Sequence, residues 1–261
     1  MFVEKVLTAG YEGIELYLPA PSGEFASLFM KELNELRRNP PAFIFIAQQL
    51  TSPDNYSVAD YISRMEKSLT ELAALQPSFI NSHTGKDYYS FDDNCRVIEA
   101  ALTIGSKTGV RILHETHRGR FSFHAASLLA YLKKFPELEL VGDFSHFCTV
   151  SESMLQEQTE VIEQIIPHVA HLHARVGHEQ SPQVSDPFAP EWENHFALFE
   201  GWWQQVVHFN QKADRPRFSI TPECGPFPYM PTEPYSQRLL GNQWEINCTM
   251  MRHLKRKMPT S

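Results

Sequence analysis

Short apolar runs recur along the chain near residues 13–18, 42–48, 78–83, 110–115, 138–143, 169–174 and 217–223, and helical sequence fills most of the gaps between them. From Ser57 to Leu75, Val58, Tyr61, Ile62, Met65, Leu69 and Leu72 repeat at the helical period. Ser151 to Ile166 resembles that stretch, with Ser151 placed as its N-cap. Strand and helix in continuous alternation imply a parallel sheet with its helices packed against it. An eight-fold α/β barrel needs one strand more than the sequence supplies, because residues 2–9 read as a helix and Gly13–Leu18 then behaves as the second strand. The seam is left open, or another segment closes it, or the chain start is shortened; an open parallel edge calls for a cover, which a homo-oligomer would supply.

The 261 residues, 42% hydrophobic, suffice for one sizeable domain spanning 1–261. A net charge of −8 argues against a nucleic-acid backbone as principal ligand. The N-terminus lacks a basic segment with an apolar signal core, and no run approaches the roughly 20 apolar residues of a membrane span, so the expected location is the cytoplasm. Cys95, Cys148, Cys224 and Cys248 are widely spaced and suggest neither a zinc ribbon nor a disulfide framework.

Four of the apolar runs end in a group that binds divalent metals: Val110–Glu115 in Glu115, Leu138–Asp143 in Asp143, His171–His173 in His173 and Phe218–Glu223 in Glu223. Any one of these could equally face solvent or cap a helix. Four at successive strand ends point to one site on the face where the strand C-termini gather. Three carboxylates and an imidazole suit manganese first, then magnesium, cobalt or zinc. Such an ion would polarise the carbonyl and hydroxyl of an α-hydroxy ketone and make an enediolate accessible, with Glu115 and Glu223 as the base and acid. His171 shares a strand face with His173 and competes with it as ligand or supporting partner.

Around these four, His146 and His83 are placed to bond a substrate hydroxyl, and Glu15 to line the floor or form a buried ion pair. Arg118, Arg120 and Arg175 would either grip a phosphate or carboxylate or serve as counter-charges to the acidic ligands. Trp202, Trp203, Phe196 and Phe199 read as helix-to-sheet packing, with Trp192 the exception that could stack on a sugar.

The blocks His114-Glu-Thr-His-Arg-Gly-Arg120, Gly142-Asp-Phe-Ser-His146, His171-Leu-His-Ala-Arg-Val-Gly177 and Thr221-Pro-Glu-Cys-Gly-Pro226 resemble the xylose-isomerase-like sugar phosphate isomerases and epimerases, over nearly the whole chain from Gly10. The resemblance implies a (β/α)8 TIM barrel, one divalent ion on Glu115, Asp143, His173 and Glu223, and His146 and Arg175 facing the substrate. It favours His173 over His171. The implied activity is metal-dependent isomerisation or epimerisation of a small sugar, sugar phosphate or hydroxy-keto acid. Two other readings are a phosphoester hydrolase of the endonuclease IV type, which commonly wants more metals and histidines, and an inactive barrel that binds a metabolite.

Overall fold

In a computed structural model, described for residues 2–18, 23–38, 43–51, 57–213 and 218–258, the chain packs as two compact units, 1–114 and 115–261. The expected strand starts at Ala42 and Arg217 lie outside the described residues.

The first unit opens with α1 (Phe2–Thr8) and continues as β1 (Gly13–Tyr17), α2 (Glu24–Arg37), β2 (Ile44–Gln49), α3 (Val58–Ala73), β3 (Phe79–Ser82), α4 (Phe91–Thr108) and β4 (Ile112–Glu115), whose last residue, Glu115, begins the second unit. Each strand pairs in parallel with the next, in registers that include Glu15 opposite Ile46, Gln49 opposite Ser82 and Ser82 opposite His114. The helix α3 starts where Ser57 accepts the Asp60 N–H at 3.1 Å, and it buries Tyr61, Met65, Leu69 and Leu72. Those four lie on one face, so their burial supplies most of what holds the helix in place. Ser90 caps α4 in the same way, and the helix stops at Gly109, whose φ of 69° is open to a residue without Cβ.

The second unit holds α5 (Ala125–Lys134), β5 (Leu140–Gly142), α6 (Phe144–Ser151), α7 (Thr159–Ile165), β6 (Val169–Ala174), α8 (Glu193–Lys212), β7 (Ser219–Pro222) and α9 (Gln243–Lys257). Here β5 pairs with β6 and β6 with β7, again in parallel. All six residues of β6 are buried, as expected of a strand covered on both faces. Phe199, Trp202 and Trp203 on α8 are buried, which is the packing role read from the sequence. The basic residues Lys255, Arg256 and Lys257 form the last turn of α9, where positive charge complements the helix dipole.

One helix differs from expectation. Ser151 is the last residue of α6 rather than a cap, because Asp143 already starts that helix by accepting the Ser145 N–H at 3.0 Å. Glu152 and Leu155 then take positive φ values of 46° and 59°, which break the run before α7 begins at Thr159. His146 therefore lies in the first turn of α6. Among the described residues, no helix is long and apolar enough to cross a membrane.

Candidate metal centre

Within the second unit, strand ends present the acidic groups. Glu115 closes β4, Asp143 follows β5, His173 sits near the end of β6 with Arg175 just beyond it, and Glu223 follows β7. Glu115, Asp143, His173 and Arg175 are all buried, and the Glu223 side chain retains 22% exposure. His173 Nδ1 lies 2.6 Å from Glu223 Oε2 and 3.8 Å from Glu115 Oε1. Donor atoms of Asp143, His173 and Glu223 lie within 4.8 Å of one another, and so do those of Glu115, Asp143 and His146. Asp143 is common to both groups.

Arg175 fills the space between two of the carboxylates. Its Nε lies 3.0 Å from Asp143 Oδ2 and its Nη2 donates to Glu223 Oε1. The ring of Tyr229 covers the same guanidinium, 4.3 Å from ring centre to Cζ. Of the two roles open to this arginine, counter-charge is the one these contacts describe. Ser145 binds the other Asp143 oxygen, Oδ1, through its hydroxyl at 2.6 Å and its N–H.

The charges perturb one another strongly. Burial raises the Asp143 carboxyl to about 7, against the opposing pull of Arg175. Burial also pushes Glu223 up, but Arg175 and His173 outweigh it and hold the carboxyl below its ordinary value. Burial drives His146 well below the ordinary imidazole value, helped by the positive charge of Arg175 and by neighbouring His117, so it is neutral at pH 7.

The donor set fits a divalent ion. Asp143 Oδ2, with Arg175 Nε at 3.0 Å, and Glu223 Oε2, with His173 Nδ1 at 2.6 Å, are buried and receive no well-aligned hydrogen bond, so each keeps lone pairs for a further partner. Three carboxylates, one imidazole and a single compensating arginine leave a net negative, oxygen-rich cage suited to Mn²⁺, Mg²⁺, Co²⁺ or Zn²⁺. His171 is engaged elsewhere: its Nδ1 pairs with the Ser219 hydroxyl at 2.8 Å and its Nε2 with that of Thr221 at 3.0 Å.

The remaining sequence-derived residues divide between the units. In the first, Glu15 accepts hydrogen bonds from Gln48 (3.1 Å) and Asn81 (2.9 Å), and His83 lies just past β3, its N–H bonded to the Gln49 carbonyl. In the second, Arg118 and Arg120 lie on the loop after β4, which is tied down where Thr116 donates to the Asp143 carbonyl and Ser122 to the Glu115 carbonyl. Trp192 ends a short 3-10 helix before α8 and stacks on His178 at 5.1 Å, which gives it a protein partner for its ring. Two residues went unnoticed in the sequence. His117 stacks on His146 with ring centres 3.9 Å apart, and its Nε2 pairs with the Tyr229 hydroxyl at 3.2 Å. His117 was legible as the second histidine of the His114–Arg120 block, whereas Tyr229 lies in the stretch Ile220–Pro231, whose prolines and glycine suit a rigid pocket wall without marking the tyrosine itself.

Parallel strands with intervening helices, and acidic side chains at the strand ends, define an α/β class of protein with candidate metal-binding clusters. The chain belongs to the xylose isomerase-like TIM barrel family, whose model matches residues 3–219. The seven strands seen among the described residues, with α1 ahead of β1, agree with the fold the sequence implied. Among solved structures it is similar to the probable 3-DHS dehydratase AsbF of Bacillus anthracis, at 18% identity and a TM-score of 0.63, covering 97% of this chain and 92% of that one. A D-tagatose 3-epimerase-like protein is similar at 14% identity and a TM-score of 0.64, covering 97% and 91%. A xylose isomerase-like TIM barrel protein from Mycobacterium smegmatis, in complex with magnesium, is similar at 10% identity and 0.59, covering 98% and 88%. These likenesses are of fold. No curated protein matches the sequence.

Proposed function

We propose that the chain is a divalent-metal-dependent isomerase or epimerase of a small hydroxy-ketone, drawn from sugars, sugar phosphates and hydroxy-keto acids. The observation that carries this reading is the group of buried Asp143 and His173 with half-buried Glu223, whose donor atoms lie within 4.8 Å of one another, with Glu115 joined to it through Asp143 and His173. The fold shared with an epimerase-like protein supports it. Glu115, Asp143, His173 and Glu223 would hold the ion, with manganese favoured. When bound, the ion supplies Lewis-acid polarisation of a carbonyl and its neighbouring hydroxyl.

The chain's own groups do the rest. Glu223, kept ionised by Arg175 and His173, is the least buried of the four and so the one a substrate meets first. It accepts the proton from the carbon between carbonyl and hydroxyl, and Glu115, deeper in the site, exchanges one from the other side. Neutral His146 offers a nitrogen to a substrate hydroxyl, for Nδ1 has no hydrogen-bond partner among the described residues. The burial of Glu115, Asp143 and His173 excludes water, which strengthens each of these interactions.

Two measurements test the reading together. Elemental mass spectrometry should find about one ion per chain, lost in Glu115→Gln and His173→Ala. The loaded protein should exchange the α-hydrogen of a hydroxy-ketone with deuterated buffer. Failure to bind any ion after manganese is added would overturn the proposal, and binding without exchange across a ketose panel would reduce the chain to a metal-holding binder.

A further inference from the structure

The arginines around the cluster are not equivalent. Arg175 is buried and shared between Asp143 and Glu223, and the Arg120 Nη1 donates to the Gly119 carbonyl at 3.3 Å. Arg118 is exposed, and among the described residues its guanidinium meets no carboxylate. What it meets is the ring of Tyr229, 5.5 Å from Cζ to the ring centre. The same ring lies 4.3 Å from the Arg175 Cζ, so a single aromatic side chain links the free cation to the one inside the cluster. Tyr229 is itself fixed by its hydroxyl's bond to His117, whose ring stacks on His146.

The loop that carries Arg118 is equally fixed. Its ends are fastened where Thr116 donates to the Asp143 carbonyl at 2.9 Å and Ser122 to the Glu115 carbonyl, and within it the Arg120 N–H bonds the His117 carbonyl at 3.2 Å. An arginine three residues beyond a buried acidic strand end, on a braced loop and laid over a braced ring, is pre-organised rather than a freely moving surface chain. Charge counting gives its purpose. With a divalent ion bound, Glu115, Asp143 and Glu223 would carry three negative charges, which Arg175 and the ion would neutralise. The charge of Arg118, on an exposed side chain beside the Tyr229 ring, is then left over.

We propose that Arg118, held on Tyr229, selects substrates whose far end bears an oxyanion, a carboxylate or a phosphate. The inference rests on the hydroxy-ketone reading above and narrows its substrate class. The planar fork of a guanidinium matches either anion with paired hydrogen bonds, and a neutral ketose would leave it unanswered.

The test is equilibrium binding by calorimetry to the manganese-loaded protein, using sets of probes that differ only at one end: dihydroxyacetone, hydroxypyruvate and dihydroxyacetone phosphate, then fructose, fructuronate and fructose 6-phosphate. In at least one set a charged member should bind roughly tenfold or more tightly than the neutral one. Arg118→Gln should erase that gap while leaving the neutral member unchanged, and Arg118→Lys should restore part of it. Preference for the carboxylate or for the phosphate identifies which anion is read. A gap that survives in Arg118→Gln, neutral probes binding as well as charged ones, or no binding by any charged probe would each overturn the proposal. Deuterium exchange is scored separately, so charge-dependent binding without exchange would count against the isomerase reading alone, and exchange without charge dependence against Arg118 alone.

Discussion

Arg175 Nε lies 3.0 Å from Asp143 Oδ2, and both side chains are buried. Neither charge has water to fall back on, so each depends on the other, and Arg175 is shared with Glu223.

Removing the cation should therefore be costly. Arg175→Met keeps most of the volume but leaves the buried Asp143 carboxylate beside that of the half-buried Glu223. The expected loss is about 3–5 kcal/mol, the usual cost of breaking a buried pair from one side. Urea unfolding of the metal-free variant measures it, and a loss under about 1 kcal/mol would mean that the pair contributes little.

A bound ion should act in the opposite sense. Because the unfolded chain cannot present Glu115, Asp143, His173 and Glu223 together, an ion that binds only the folded form stabilises it by mass action. At a hundredfold excess over Kd this amounts to about 3 kcal/mol, or several degrees in Tm for a chain of this size. Chelator should reverse the shift, and Asp143→Asn should abolish it. An equal manganese shift in that variant would place the ion elsewhere.

The candidate ligands and their strand-end placement were legible because apolar runs stop where a carboxylate or imidazole appears, and β4, β5, β6 and β7 end at or within a residue of Glu115, Asp143, His173 and Glu223. The start of α3 at Ser57 was legible for a similar local reason, a hydroxyl preceding a periodic run. What failed was competition between caps: Ser151 looked suitable, but Asp143 is earlier and starts its helix first. The role of Arg175 was also hidden, since it depends on contacts with residues far along the chain. Local pattern cannot tell a counter-charge from a substrate anchor, whereas the contacts with Asp143 and Glu223 are those of a counter-charge.

Acid should destabilise the fold through His114 in the first unit. This imidazole is fully buried, bonded through Nδ1 to the Thr84 hydroxyl at 2.7 Å, and burial lowers it to about 4. The unfolded chain, with histidine near the ordinary 6.5, binds the proton more readily between those two values. Stability is thus complete above about pH 6.5 and falls as the pH drops toward about 4. Between pH 7 and pH 5 the loss from this one group is about 2 kcal/mol. Urea midpoints should show that drop in the native sequence and a smaller one in His114→Gln. Identical drops would assign the acid sensitivity to other groups.

Gly177 tests how tightly the loop after β6 is built. A Cβ at this position would lie 2.8 Å from the backbone carbonyl atoms of Pro182 and from the Ser181 oxygen, closer than such atoms approach one another. The clash is with backbone, and that backbone is pinned: His178 and Ser181 exchange hydrogen bonds, and the Val184 N–H donates to the Val176 carbonyl at 3.0 Å. Gly177→Ala cannot be relieved by turning a side chain, so it should cost about 1–3 kcal/mol as overpacking does. The strain is local, which predicts a local signature: the Val184 and His178 amides should exchange hydrogen faster while those of β6 keep their protection. Gln183, in the same turn, bonds both the N–H and the carbonyl of Gly225, two residues beyond Glu223. A displaced turn would therefore loosen Glu223 as well, and the variant should bind manganese more weakly than the native chain, although Gly177 carries no ligand atom.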